Sequence, residues 1–355
     1  MKKIGIITTG GDCSGLNSVI FRLVDGGLHR GHKMFGVLDG TDGLAADRAP
    51  KVESEVMEFT PDTLPAAYAR MSGSMLRNGR PGAEPRKPNF QKNIKKNLAA
   101  LGLDAVVLIG GNGSISLAKI NPDVYSSVQL ICIPKTIDMD IPLTDKTVGF
   151  DTAVNELAKY ADQLLLTARS HHRWFVIQTM GRDSGFLCLH AGLAAGASAI
   201  LIPEVKWKLP ELVRFIAAKC RDGADYGLIF AAEGCRVRGR SGKVADIIAR
   251  DLEAAGISAR AEFPEHLQRS GDTAASDRIL AAEYANAALN AIENNETFVM
   301  TAKRGGEIKT IDLAEITDAG VHIPDPNVPG MFVSNEYVSP DNPLIRVAAE
   351  SGIFI

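Results

Sequence analysis

The chain has 355 residues, 45% of them hydrophobic and 23% charged, with a formal net charge of −3. Such values belong to a folded globular protein of one large or two ordinary domains, and exclude a disordered chain or a coiled coil. Without a basic excess, duplex nucleic acid is not an expected partner, and any anionic ligand must be held by locally placed basic side chains and backbone amides.

The N-terminal MKKIGIITTGG has two lysines but only a short apolar run before its glycines. That run is too short for a signal-peptide core or a membrane span, so a cytoplasmic protein with no membrane partner is expected. The same run is the first expected strand, IGIITTGGD, and residues 16–28 then follow a helical period. Residues 77–90, RNGRPGAEPRKPNF, read as a long basic loop rich in Pro and Gly, with a helical stretch at 93–101 behind it. Next come AVVLIGGNGS, LICIPKTIDMD, a helical period over 152–167, WFVIQTMGRDSG, AILIPE and GLIFAAEG. From Ile316 onward, five prolines suggest irregular chain wrapped over the surface.

Continuous apolar runs, rather than alternating ones, indicate strands covered on both faces. Their alternation with helices predicts an α/β fold with a mainly parallel, doubly wound sheet, in which ligands bind beyond the carboxyl ends of the strands. Every polar tail quoted above lies at such an end. Cys13, Cys132, Cys188, Cys220 and Cys235 form no C-x-x-C pair and no zinc spacing, so reduced, mostly buried thiols are expected. No H-E-x-x-H occurs, and a metal site would be built from oxygen ligands.

GGD at 10–12 and GGNGS at 110–114 both leave a strand and enter a helix. One such stretch is commonly no more than a tight turn. Two on one sheet favour an anion site, where glycines let backbone N–H groups approach and the helix N-terminus adds positive partial charge. PKTIDMD places Asp138 and Asp140 two apart behind Lys135 and Thr136. Turn and cap roles would account for either acid alone. As a pair they suit phosphoryl transfer, one carboxylate taking a hydroxyl proton and the other supporting Mg²⁺. Arg173, Arg182, Arg260, Arg269 and His266, at or near strand ends of a near-neutral protein, point to a phosphorylated small substrate.

TTGGDCSGLN, IGGNGS, PKTIDMDIPLTDKTVGFDTA, MGRDSG, PE at 203, AEG and the R…H.QR.G stretch occur here in the order and spacing of the phosphofructokinases. The chain resembles that family from Lys3 to about Leu289. The resemblance implies two doubly wound, Rossmann-like lobes with an active site in the cleft between them. It implies a phosphoryl-donor lobe from 1–149 plus about 262–312, and a sugar-phosphate lobe from 150–261 plus about 313–355. The activity implied is transfer of phosphate from Mg-ATP to fructose 6-phosphate, making fructose 1,6-bisphosphate, in a homodimer or homotetramer.

Carried over position by position, Asp138 is the base toward the sugar 1-hydroxyl, and Thr136 orients the phosphoryl group. Gly11 gives its backbone to the phosphate, and Arg182 offsets charge in the transition state. Arg80, Gly111, Asn112, Gly113, Ser114 and Lys135 fall at the donor, and Asn112 with Asp140 at the Mg²⁺. Arg173, Met180, Gly181, Glu233, Arg260, His266 and Arg269 match the fructose 6-phosphate site, Arg173 and Arg260 reaching it from a neighbouring subunit.

Departures from the family pattern bear on the donor. Asn112 replaces an aspartate, which should weaken metal binding, and Met139 replaces the usual Asn between the two acids. Gly113 leaves room for the ATP α-phosphate where aspartate would restrict the enzyme to pyrophosphate. Lys135 and Leu117 lean the other way, so a reversible pyrophosphate enzyme is the alternative, and a weakened sugar-phosphate-binding paralogue a third reading. The matched contacts leave the sugar's chain length open, with sedoheptulose 7-phosphate as another acceptor. The basic effector pocket of bacterial ATP enzymes falls on Phe21, Asp25, Leu165, Ser198, Asp222 and Ala224, none of them basic, and non-allosteric kinetics are expected.

Overall fold

A computed structural model describes residues 1–47, 55–63, 66–79, 88–316, 322–324, 332–334, 338–339 and 341–355. The first half contains β1 (Lys3–Thr8), α1 (Leu16–His29), β2 (Lys33–Val37), α2 (Gly40–Leu44), β3 (Val56–Phe59), α3 (Pro88–Leu101), β4 (Ala105–Gly110), α4 (Asn112–Ile120) and β5 (Gln129–Pro134). After α5 (Phe150–Ser170) come β6 (Trp174–Thr179), α6 (Phe186–Ala194), β7 (Ala199–Leu201), α7 (Leu209–Arg221), β8 (Gly227–Ala232), α8 (Val244–Ala254) and β9 (Ala259–Glu262). Then follow α9 (Ala275–Glu293), β10 (Val299–Arg304), β11 (Glu307–Asp312), β12 (His322–Pro324), β13 (Phe332–Ser334) and α10 (Pro343–Glu350). The chain divides into two compact units: Met1–Ile137, Ile141–Thr152 and Arg269–Asp318 form the first, and Asp138–Asp140, Ala153–Gln268 and Ala319–Ile355 the second.

The first unit is built on a seven-stranded sheet of order β11-β10-β5-β4-β1-β2-β3. The inner pairs are parallel and the two outer pairs, β2 with β3 and β10 with β11, antiparallel. All six residues of β4 are buried, as the unbroken run AVVLIG requires of a strand covered on both faces. One covering core joins Leu16, Val19 and Leu23 of α1 to Tyr284 and Ala288 of α9; the other joins Phe90, Ile94 and Leu98 of α3 to Val106 and Leu108. From β1 the chain steps to β2 on one side and later returns to β4 on the other. The crevice between β1 and β4, at their carboxyl ends, is thus a topological switch point.

In the second unit the strands run in the order β7-β8-β6-β9, and every pairing is parallel. The tail is more regular than its prolines suggest. Asn342 caps α10 by accepting from the Leu344 amide at 2.9 Å, and Pro343 takes the first helical position, where it loses no hydrogen bond. Phe354 then pairs with the free edge of β7, its N–H donating to the Ser198 carbonyl (3.0 Å) and its carbonyl accepting from Ile200 (2.8 Å). β12 and β13 form a short antiparallel pair.

Two further differences from the sequence reading have simple causes. Helix α3 starts five residues before the apolar period becomes visible, because a Pro-initiated first turn carries little periodicity. The strands β2, β3, β9, β10 and β11, like β12 and β13 in the tail, were not expected; they are short or charged, as ARAE in β9 illustrates, and give no continuous apolar run.

Candidate active site

In the first unit, β5, β4 and β1 lie side by side and end at Lys135–Thr136, Gly111–Ser114 and Gly10–Gly11 respectively. Gly10 has a left-handed backbone (φ 82°) and stands where the three segments meet. A Cβ on it would lie 3.4 Å from Ser114 Oγ, 3.9 Å from Lys135 Nζ and 4.0 Å from the Gly111 nitrogen. Lys135 is buried, and its ammonium donates to the Gly11 carbonyl. Helix α4 opens at Asn112, so its first-turn N–H groups and the positive end of its dipole are presented at the end of β4.

Thr136 continues the line of β5. Its N–H donates to Val148 O (3.2 Å), and its carbonyl accepts from Thr147 Oγ1 (2.8 Å). Gly113 is exposed, and a Cβ there would meet nothing within 4 Å. The Asn112 amide oxygen accepts from Ser116 Oγ at 3.3 Å. Arg269, expected with the sugar phosphate, belongs to this unit, where its Nη1 donates to the Asp12 carbonyl at 2.9 Å. Arg80 lies outside the described residues. Cys13, beside this loop, is buried and its thiol is pushed up to about 12, so it is no nucleophile near neutral pH.

The second unit takes Asp138–Asp140 out of the PKTIDMD stretch. Both carboxylates are 6% exposed, and Met139 between them holds a left-handed backbone (φ 52°). Five other expected residues sit on loops at the carboxyl ends of the parallel strands. Met180, Gly181 and Arg182 follow β6, Glu233 follows β8, and His266 lies on the turn 265–269 after β9. Arg182 is exposed and left-handed (φ 54°), and its N–H donates to Glu233 Oε1 at 2.8 Å.

Arg173 and Arg260 are not part of this set. Arg173 precedes β6 and Arg260 pairs in register with Phe175, so both lie toward the amino ends of the strands, away from Arg182 by most of a strand's length. Arg260 is engaged there by Glu253.

Two residues of this unit had no assigned role in the sequence. Gln268 is buried, accepting from the Met180 N–H (2.9 Å) and donating to the Glu265 carbonyl (3.0 Å). Glu204 is buried too, and its Oε1 accepts from the Gly185 N–H at 2.7 Å. Burial pushes the Glu204 carboxyl up to about 7. Its signal was present: an acid placed directly behind a fully apolar strand and a proline, where nothing but a buried partner would repay it.

A phosphofructokinase family model matches residues 3–292. An ATP-dependent 6-phosphofructokinase of Streptomyces coelicolor is 34% identical over 91% of this chain and 97% of its own length. One from Nostoc is 32% identical over 100% of this chain and 98% of its own. Among solved structures, phosphofructokinase from Saccharomyces cerevisiae superposes with a TM-score of 0.78 at 27% identity, over 89% of this chain but 45% of the yeast chain. A pyrophosphate-dependent phosphofructokinase from Nitrosospira multiformis reaches the same TM-score, 0.78, at 19% identity, a likeness of fold alone. With the glycine-built crevice and the Arg182 loop in place, these matches make the assignment plain: the chain belongs to the phosphofructokinase family.

Proposed function

We propose that this chain is an ATP-dependent 6-phosphofructokinase, transferring the γ-phosphoryl group to the 1-hydroxyl of fructose 6-phosphate. The observation that carries the choice of donor is Gly113: it lies in open space at the mouth of a helix that offers its N–H groups to phosphate, leaving room for a nucleotide's α-phosphate. Gly11, Arg80, Gly111, Asn112, Ser114 and Lys135 supply the rest of the donor site, Thr136 orients the transferred phosphoryl group, and Arg269 lies beside the Gly11 loop.

Asp138 takes the hydroxyl proton as the sugar oxygen attacks. Arg182 offsets the charge developing on the transferred group, and Met180, Gly181, Glu233, His266 and Arg269 hold the sugar phosphate. A neighbouring copy of the chain supplies Arg173 and Arg260, which accounts for their place at the far ends of their strands. Among the described residues no group of three or more His, Cys, Asp or Glu side chains is gathered for a metal. One carboxylate, Asp140, and one amide oxygen, Asn112, nevertheless suit Mg²⁺, which is commonly held by phosphate oxygens and water with only one or two protein ligands. Bound there, the ion would neutralise donor charge.

Positions where bacterial relatives would carry effector-binding groups are used otherwise. Phe21 packs against the first core, Asp25 pairs with Arg22, and the Ser198 backbone is bonded on both sides, to Leu228 and Phe354. Hyperbolic kinetics, unmoved by ADP or phosphoenolpyruvate, are expected.

The deciding experiment assays fructose 6-phosphate with Mg-ATP and Mg-pyrophosphate side by side. Turnover on ATP at least tenfold above pyrophosphate supports the assignment. The reverse favours the pyrophosphate reading, which the buried Lys135 ammonium against the Gly11 carbonyl supports. Tight sugar-phosphate binding without turnover on either donor leaves a binding protein.

A further inference from the structure

The loop that carries Arg182 is held largely through its backbone. Between β6 and α6, three amides of the loop are taken by side chains from three different segments. Met180 N–H goes to Gln268 Oε1 (2.9 Å), Arg182 N–H to Glu233 Oε1 (2.8 Å) and Gly185 N–H to Glu204 Oε1 (2.7 Å). Only a Ser184 to Gly181 turn bond, 2.9 Å, lies within the loop itself. Gly181 (φ 132°) and Arg182 (φ 54°) both hold left-handed backbone, which costs an arginine about 1 kcal/mol and persists only where the surroundings impose it.

Glu204 is the least expected of the three supports. It follows β7, has no assigned contact with donor or sugar, and is 7% exposed. Gly185 admits it because it lacks a side chain: a Cβ there would come within 2.4 Å of Glu204 Oε2 and 2.5 Å of the Ile202 Cβ. A buried acid is expensive even with backbone amides of Gly185 and Val338 to bond, and burial already raises its carboxyl to about 7.

We propose that Glu204 is a positioning residue for Arg182, pinning the C-terminal end of the 180–185 loop so that the guanidinium is set before substrate arrives. The proposal rests on the role of Arg182 in the function proposed above. What Glu204 supplies is reach, an oxygen at hydrogen-bonding distance from Gly185 N–H, rather than charge. Misplacing a catalytic group by about 1 Å can cost on the order of 100-fold in rate.

The test compares two substitutions in the full-length enzyme. Glu204→Gln keeps the reach and loses the charge; Glu204→Asp keeps the carboxyl and withdraws it by one methylene. Glu204→Asp should lower kcat about 10- to 100-fold with the KM for fructose 6-phosphate changed less than about threefold. Glu204→Gln should recover most of that loss, and in an Arg182→Ala background Glu204→Asp should cost less than about threefold, because the two act through one group. The reverse order, Asp fast and Gln slow, overturns the proposal, as does an equal loss with and without the Arg182 side chain. If Arg182→Ala itself leaves kcat unchanged, the role given to Arg182 falls, and this inference with it. If Arg182→Ala is slow but Glu204→Asp is fast, only the inference falls.

Discussion

In the function proposed above, the two units face the same problem, holding a phosphorylated ligand still, and they are built to meet it by different means. In the first, the proposed phosphate crevice is made largely of backbone: glycines at the ends of the neighbouring strands β1 and β4 and the mouth of α4, with the buried Lys135 from the end of β5 bonded to the Gly11 carbonyl. In the second, the Arg182 loop is a poor structure on its own and is set by side chains reaching in from distant segments. A backbone site tolerates changes at its rim, since little depends on any one side chain. A side-chain site fails when one support is removed. The contrast implies that substitutions in the second unit should be the more damaging.

The strongest single test is Asp138→Asn, which removes the proposed base while keeping its shape. Turnover should fall by about three powers of ten, with the KM for fructose 6-phosphate moving less than about threefold. Steady-state assays with saturating Mg-ATP read both, and retention of more than a tenth of wild-type kcat would remove Asp138 from the mechanism.

Glu204 sharpens the comparison through stability. Burial raises its folded-state pKa to about 7 from 4.5, with Asp183 on the loop adding to the rise and the backbone amides of Gly185 and Val338 opposing it. The folded state therefore keeps a proton that the unfolded chain has lost between those values. The stability this contributes is fully present below about pH 4.5 and is lost as the pH climbs through 7. Glu204→Gln has no such titration, so it should gain on wild type between pH 5 and pH 8, by up to about 3 kcal/mol. Chemical denaturation at the two pH values measures it, and a difference that stays constant with pH would place the carboxyl in a wetter site.

In the first unit the corresponding change is Gly113→Asp. Because a Cβ there meets open space, the fold should not notice, and the melting temperature should stay within about 2 °C. Its carboxylate would oppose the nucleotide's α-phosphate, and like charges brought together cost several kcal/mol. The kcat/KM for Mg-ATP should fall about 100-fold while that for Mg-pyrophosphate holds or rises. Equal loss on both donors would show that position 113 does not choose between them.

The backbone half was easier to read in the sequence. GGD, GGNGS and PKTIDMD are contiguous stretches whose glycines and acids stand at the end of an apolar run, and that signal is local. So was the doubly wound fold, because β1, β4, β5, β6 and β8 are buried on both faces and show it in unbroken apolar runs. Gln268 and Glu204 were not legible as loop supports, because what they hold is 88 and 19 residues away and no spacing rule links them. The outer strands of the first sheet, β9 and the pairing of the tail on β7 were hidden for a similar reason: their partners, such as Phe354 on β7, are set by tertiary contact, not by local pattern.

Met139 gives the smallest expected effect and the cleanest separation of stability from chemistry. Between its two aspartates the backbone is left-handed (φ 52°), a conformation that brings Cβ against the following carbonyl. Asparagine takes it more readily than most residues, since its short polar side chain bonds locally, and methionine has no such compensation. Met139→Asn should therefore raise stability by about 1 kcal/mol in urea denaturation, with m unchanged. Because the carboxylates on either side keep their backbone, kcat should move less than about twofold. A loss of stability would mean that the methionine side chain contributes more through packing than its backbone costs, and that this turn, like the Arg182 loop, is held from outside rather than by its own residues.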